Sequence, residues 1–248
     1  MNGMALVWSL LIVDPLIVLS TIFCGSVSAI LAISGFHGRV LMKVARAWAR
    51  SILIFAGVRV QVEGLEKLDP NTGYVFVANH LSYMDTPVVL THVPVQFRFL
   101  AKQGLFKLPF LGTYLRHGGH ISVPIGDARA SVKSLTLAAK TIREQGISVL
   151  IFPEGGRSFD GVLKAFKDGA AFVAIKAGVP LVPMTLIGTR AIMAMHSKTI
   201  RPGKVRLRIG DPIPTLGMTS HDREALTETA RQAIVGMQKN GLAADEPG

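Results

Sequence analysis

The sequence has 248 residues, 49% of them apolar and only 17% charged, with a net charge of +11. Its mean hydropathy is +0.41 and its pI is about 10.2. This length suits one domain with a full-sized core plus an appendage. The charge asks for an anionic neighbour, and the positive hydropathy argues against nucleic acid and for a lipid surface. The single cysteine, Cys24, excludes a disulfide within the chain and a cysteine metal cluster.

From Met1 to Phe36 the only charged side chain is Asp14, which Pro15 follows. That pair predicts two apolar pieces, Met4–Val13 and Leu16–Ser34. The second has 19 residues, near the lower limit for a membrane-spanning helix. No Lys or Arg precedes the run, which argues against a cleaved leader. Arg39, Lys43, Arg46 and Arg50 then recur at steps of three and four. With Val40, Leu41, Val44, Trp48, Ile52 and Phe55 between them, 38–55 reads as a basic amphipathic helix in the headgroup zone. The competing reading is an ordinary helix packed on the domain. The basic flank puts the domain behind it on the cytoplasmic side of an inner membrane.

The remainder alternates. Strands are expected at Val58–Val62, Tyr74–Ala78, Phe97–Ala101, His120–Val123, Ser148–Phe152, Leu181–Ile187 and Lys204–Ile209. Helices are expected at Thr86–His92, Leu105–His117 with a break near Pro109, Ala128–Glu144, Asp168–Ala177 and Thr219–Lys239. Such alternation predicts an α/β fold: a mainly parallel mixed sheet flanked by helices, preceded by a membrane-associated helical segment. The expected division is 1–56 for the anchor, 57–240 for the α/β domain and 241–248 for a disordered tail.

Two segments carry chemistry. Asn79-His80-Leu81-Ser82-Tyr83-Met84-Asp85 follows a strand, at the edge where open α/β sheets bind ligands. With a turn between them, Asp85 can meet one imidazole nitrogen of His80, fix its tautomer and free the other as a base. The same residues also fit helix capping, either as a Ser82-x-x-Asp85 box or as a Thr86 or Asp85 cap before Pro87. The residues alone leave capping and catalysis open. Phe152-Pro153-Glu154-Gly155-Gly156-Arg157-Ser158 follows another strand. Gly155 and Gly156 allow close approach of backbone to a ligand. Arg157 offers a planar donor fork for phosphate. Glu154 is suited to hold that arginine or to accept from a substrate hydroxyl. Lys102, at the end of a third strand, is a further candidate for a phosphate. No metal cluster is expected.

The order of these segments resembles the glycerolipid acyltransferases, in particular the bacterial 1-acyl-sn-glycerol-3-phosphate acyltransferases. Their Asn-His-x-Ser-x-x-Asp motif is similar to Asn79–Asp85 throughout. Their Phe-Pro-Glu-Gly-Thr-Arg-Ser motif resembles Phe152–Ser158, except that Gly156 stands in the Thr place. Val179–Met184 resembles a further motif, and Phe166–Ala170 a linking segment. A motif that usually ends in Arg here has Ile125, with Arg129 a turn further on. The resemblance implies transfer of an acyl group from acyl-CoA or acyl carrier protein to the 2-hydroxyl of lysophosphatidic acid, at a membrane and without a cofactor. His80 and Asp85 would be catalytic; Lys102, Glu154, Gly155, Gly156 and Arg157 would bind substrate. The alternatives are an acyltransferase acting on another lysolipid, such as lyso-ornithine lipid, and a lipid hydrolase using the same histidine.

Overall fold

The computed structural model describes residues 3–124 and 126–243. Seven strands form one sheet: β1 (Val58–Glu63), β2 (Val75–Ala78), β3 (Phe97–Lys102), β4 (Ile121–Val123), β5 (Ser148–Ile151), β6 (Leu181–Ile187) and β7 (Gly203–Ile209). Their spatial order is β1-β7-β6-β2-β5-β3-β4. Every neighbouring pair is parallel except β6 with β7. Strands β1 and β7 therefore run against the other five. The central strands β2 and β5 are buried along their whole length, as expected when helices cover both faces of a parallel sheet.

Side-chain alternation splits the core in two. Phe76 and Ala78 pack with Leu150, Val182 and Met184 under α3 (Arg39–Phe55) and α4 (Asp85–His92). Val75, Val77, Val149 and Ile151 face α6 (Ala128–Gln145), α7 (Gly169–Ala177) and α9 (Arg223–Ala243). Two short helices, α5 (Leu111–His117) and α8 (Thr189–Ile192), lie in connections. A 3₁₀ turn at Gln103–Lys107 precedes α5, so the expected break at Pro109 is present. Helix α9 runs to Ala243, so three residues of the expected tail are helical. The rest of that tail, and Ile125, lie outside the described residues.

Two expectations at the N-terminus are corrected. The apolar run is one continuous helical stretch: α1 (Gly3–Trp8), a π turn (Ser9–Val13) and α2 (Asp14–Ile33). The Asp14 amide donates to the Ser9 carbonyl, five residues back. This wider turn makes room for the Pro15 ring, which an unbroken α-helix would drive into a carbonyl. The second correction concerns α3. Its apolar side (Leu41, Met42, Ala45, Ala49, Ile52 and Leu53) is buried in the protein, because one face of the sheet needs that cover. Arg46 is structural too: it donates to the carbonyls of Val93, Pro94 and Val95 at 2.7, 3.0 and 2.8 Å, just past the end of α4.

The segment Leu6–Ile33 is long and apolar enough to cross a membrane. Its polarity is inverted relative to a soluble helix. Small and hydroxyl residues face the domain: Ser20 meets Ser51 at 2.6 Å, Thr21 accepts from the Trp48 indole at 3.0 Å, and Ser28 and Ala32 are buried. The Ser9 hydroxyl accepts from the Ile200 amide at 2.9 Å. Ile12, Leu16, Leu19, Phe23, Ile30 and Ile33 point outward in a helical stripe, Phe23 at 70% and Ile33 at 87% exposure. A monomer in water rarely shows such a stripe.

Candidate active site

Strand β2 ends at Ala78, and the next two residues are fixed by the strands on either side. The Asn79 side chain bridges to β6: it accepts from the Leu186 amide at 2.7 Å and donates to the Leu186 carbonyl at 2.9 Å. The His80 amide donates to Glu154 Oε1 at 2.6 Å, and its carbonyl accepts from the Ser158 amide at 2.8 Å. The chain then turns, and α4 begins at Asp85. Asp85 Oδ2 lies 2.8 Å from His80 Nδ1 and also accepts from the amides of Leu81 and Ser82, each at 2.8 Å. Neither capping arrangement forms at the start of α4, whose N-cap residue Met84 has no side-chain cap. One carboxylate oxygen closes the turn and orients the ring. The other, Oδ1, is buried without a hydrogen-bond partner among the described residues.

Ser82 tightens the turn rather than capping the helix N-terminus. Its hydroxyl accepts from the Met84 amide at 3.0 Å and donates to the Met193 carbonyl at 2.6 Å. The ring of His80 stacks on Phe152, with centroids 3.9 Å apart and planes within 11°. With Nδ1 taken by Asp85, Nε2 has no hydrogen-bond partner among the described residues. Burial pushes the His80 pKa below its ordinary value; the Asp85 bond and charge oppose this, while Arg157 and Lys102 add to it. The neutral imidazole is thus the form present at neutral pH.

The segment after β5 completes the site. Both Glu154 oxygens hold backbone: Oε1 takes the His80 amide and Oε2 the Lys164 amide at 3.0 Å. Of the two expectations for Glu154, holding Arg157 is corrected: its oxygens take the two amides, and Arg157 turns instead to the Ser82 carbonyl and the Tyr83 ring. Burial raises the Glu154 pKa, and those two amide bonds oppose the rise. Arg157 donates from Nε to the Ser82 carbonyl at 3.0 Å and lies 4.4 Å over the Tyr83 ring. Its terminal nitrogens make no hydrogen bond among the described residues. Gly155 adopts φ +73°, a conformation that side chains rarely accept. The Lys102 ammonium lies 3.4 Å from where a Cβ on Gly156 would stand, and that of Lys167 2.9 Å from the same point on Gly155. All seven candidates, His80, Asp85, Lys102, Glu154, Gly155, Gly156 and Arg157, thus come together at one end of the sheet. Arg129 sits exposed in the first turn of α6. Phe152 as the stacking partner, Asn79 as the bridge to β6 and Lys167 were not assigned these roles from sequence. The motif order carries no sign of ring stacking.

Residues 59–187, more than half of the chain, match the family model described as Acyltransferase. The chain belongs to the acyltransferase family. It is 40% identical over 172 residues to the chloroplastic 1-acyl-sn-glycerol-3-phosphate acyltransferase of Arabidopsis thaliana, covering 68% of this chain and 48% of that protein. The enzyme of the same description from Borreliella burgdorferi is 29% identical, over 79% of this chain and 78% of its own. This chain spans about half the length of the plant relatives. Among solved structures, the 1-acyl-sn-glycerophosphate (LPA) acyltransferase PlsC from Thermotoga maritima superposes with a TM-score of 0.72 at 27% identity. That match covers 94% of this chain and 97% of that one. The family model spans β2 through β6, so all seven candidate residues lie inside it.

Proposed function

We propose that this acyltransferase moves an acyl group from a thioester, carried by coenzyme A or acyl carrier protein, to the 2-hydroxyl of 1-acyl-sn-glycerol 3-phosphate. The product is phosphatidic acid. The observation that carries the reading is the His80–Asp85 pair, with Nδ1 engaged and Nε2 without a hydrogen-bond partner among the described residues, beside two cations at the same edge of the sheet. His80 Nε2 takes the hydroxyl proton as the oxygen attacks the thioester carbonyl. The carbon–sulfur bond then breaks, and the imidazolium returns its proton to the departing thiolate. Asp85 stays ionised and stabilises the imidazolium. General-base help of this kind is worth about 10²–10⁴-fold.

The fork of Arg157 and the ammonium of Lys102 hold the acceptor phosphate. Gly155 and Gly156 let it approach the loop backbone. Glu154 is assigned to positioning: with both oxygens on amides, it fixes the histidine's main chain instead of touching substrate. The outward stripe of α2 seats the protein on the bilayer. Because its other side packs along the domain, we place that helix in one leaflet of the inner membrane, with the domain in the cytoplasm.

The test is a purified-protein assay that crosses acyl-CoA and acyl carrier protein donors with a panel of lysolipids, read by product mass. Phosphatidic acid formed by the wild type and abolished in His80→Ala, with melting unchanged, is the expected result. Acylation of a different lysolipid, or release of free fatty acid without acceptor, would overturn the assignment.

A further inference from the structure

Past Arg157 the chain makes a turn that the proposed chemistry does not use. Asp160 folds back within it, accepting from the Ser158 hydroxyl at 2.7 Å and from the Val162 amide at 3.0 Å. This leaves Phe159 and Val162 at the tip, 69% and 63% exposed. Two large apolar side chains exposed together at one tip can mark an interaction site where scattered single ones do not.

The neighbours of the tip are cationic. Arg190 lies along the turn, with its Nε 2.9 Å from where a Cβ on Gly161 would stand, and donates to the Phe159 carbonyl at 3.4 Å. The Phe159 ring is 5.7 Å from that of His196. Lys198 and Arg201 come next along the chain and are exposed. Among the described residues, Arg190, Lys198 and Arg201 have no carboxylate partner.

The loop 193–201 also reaches the N-terminal helix, through the Ile200 amide on the Ser9 hydroxyl. Beside Ser9 in that helix, Trp8 and Leu11 point outward at 50% and 71% exposure. His196 and Ile200 are four residues apart, at most about 14 Å of chain. The loop that carries Lys198 and Arg201 thus touches the apolar tip through His196 and the N-terminal helix through Ile200, with Arg190 beside the tip.

We propose that Phe159 and Val162 insert into the bilayer as a second contact, and that Arg190, Lys198 and Arg201 bind anionic lipid headgroups around it. Apolar tip and basic collar fit a membrane better than an acidic protein partner, because a cation cluster alone would serve the latter. The contact would hold the bilayer next to Ser82 and His80, since the Ser82 hydroxyl bonds Met193 in this same loop. The inference rests on the membrane placement proposed above, not on the chemistry.

The test is co-sedimentation of the full chain with phosphatidylcholine vesicles, with and without one-third phosphatidylglycerol. Each cation near an anionic surface is worth about fivefold in partitioning. The triple variant Arg190→Gln, Lys198→Gln, Arg201→Gln should thus bind anionic vesicles about 100-fold less, with neutral vesicles unaffected. If that variant melts early, Lys198→Gln with Arg201→Gln should still show about 25-fold. Phe159→Asp should cost about tenfold or more on both vesicle types. Variants that bind like the wild type overturn the inference. So does unchanged vesicle binding with slower turnover on an acyl carrier protein donor alone, which would assign the surface to that carrier. A wild type that ignores vesicles removes the membrane placement as well; a wild type that binds, with indifferent variants, removes only the second contact.

Discussion

Replacing Asp85 with asparagine separates geometry from charge at the centre of the site. The side chain keeps its shape, and an amide oxygen in the Oδ2 position can still accept from His80 Nδ1 and from the Leu81 and Ser82 amides. The negative charge is lost. In the proposed transition state an imidazolium stands 2.8 Å from that oxygen. At an effective dielectric of about 20, a unit pair at 3–4 Å is worth about 4–6 kcal/mol. The amide dipole recovers part of this, so about 3–5 kcal/mol should be lost, or 10²–10⁴-fold in kcat. Asp85 is buried and is assigned no substrate contact, so KM for donor and acceptor should stay within about threefold. There is a separate structural cost. The amide NH₂ would fall at the Oδ1 position, which is buried and makes no hydrogen bond among the described residues. That leaves a buried donor unsatisfied, at about 1–3 kcal/mol of stability. Steady-state kinetics below the melting temperature, with unfolding followed in parallel, keeps the two apart. A folded Asp85→Asn enzyme with kcat within about fivefold of wild type, or a loss carried by KM alone, would falsify the role given to this pair.

Further measurements bear on the neighbours. Arg157→Ala should raise KM for the phosphorylated acceptor by about tenfold or more, because charge-assisted bonds to phosphate are lost; an unchanged KM would place the phosphate elsewhere. Glu154→Gln turns one acceptor into a donor facing the His80 or Lys164 amide, at about 1.5–3 kcal/mol. It should lower kcat and melting temperature together while leaving acceptor KM intact; a pure KM effect would return Glu154 to the substrate. His120 is a pH probe of the fold. Burial, aided by Arg98, pushes it down to about 3, and its Nδ1 accepts from the Phe99 amide at 2.9 Å. A folded pKa below the unfolded value, ~6.5, means that its contribution is complete above that pH and is lost as pH falls. From pH 7 to 5 the loss is about 2 kcal/mol. His120→Asn, which keeps an acceptor, should therefore narrow its stability gap to wild type by about that amount in urea titrations at the two pH values. An equal gap at both would mean that the ring is not held neutral.

Much of this was readable from the chain. Val75–Ala78 and Ser148–Ile151 are short apolar runs ending in polar motifs, and the pattern located both strand ends where the site stands. A meeting of His80 with Asp85 was legible as one of two options, because a turn within five residues lets the carboxylate reach the ring or cap the helix. What the carboxylate does with each oxygen was not legible, since capping and ring orientation draw on the same residue types. The amide partners of Glu154 were not legible for a related reason: a carboxylate beside an arginine suggests an ion pair or a substrate contact, and backbone amides leave no trace in a sequence. Pro15 suggested a break, because a proline inside a helix reads alike whether the helix stops or widens into a π turn. Helix α3 misled through Lys43 and its three arginines. Its amphipathic pattern is real, but periodicity does not say whether the apolar side meets lipid or a sheet.

The reversed edge pair has a consequence for how the molecule is wired. Because β7 runs against β6, the chain must reverse direction between Ile187 and Gly203, and it does so at the end of the sheet where His80 sits. The connection made there is the loop that touches Ser82 through Met193 and Ser9 through Ile200. Had the sheet kept one direction, that crossover would have returned along a face to the opposite end, and this loop would not join the His80–Asp85 turn to the apolar helix. One reversal of strand polarity thus makes a backbone splice between the apolar N-terminal helix and the turn that carries His80. A shift in either would be felt by the other within a few peptide units.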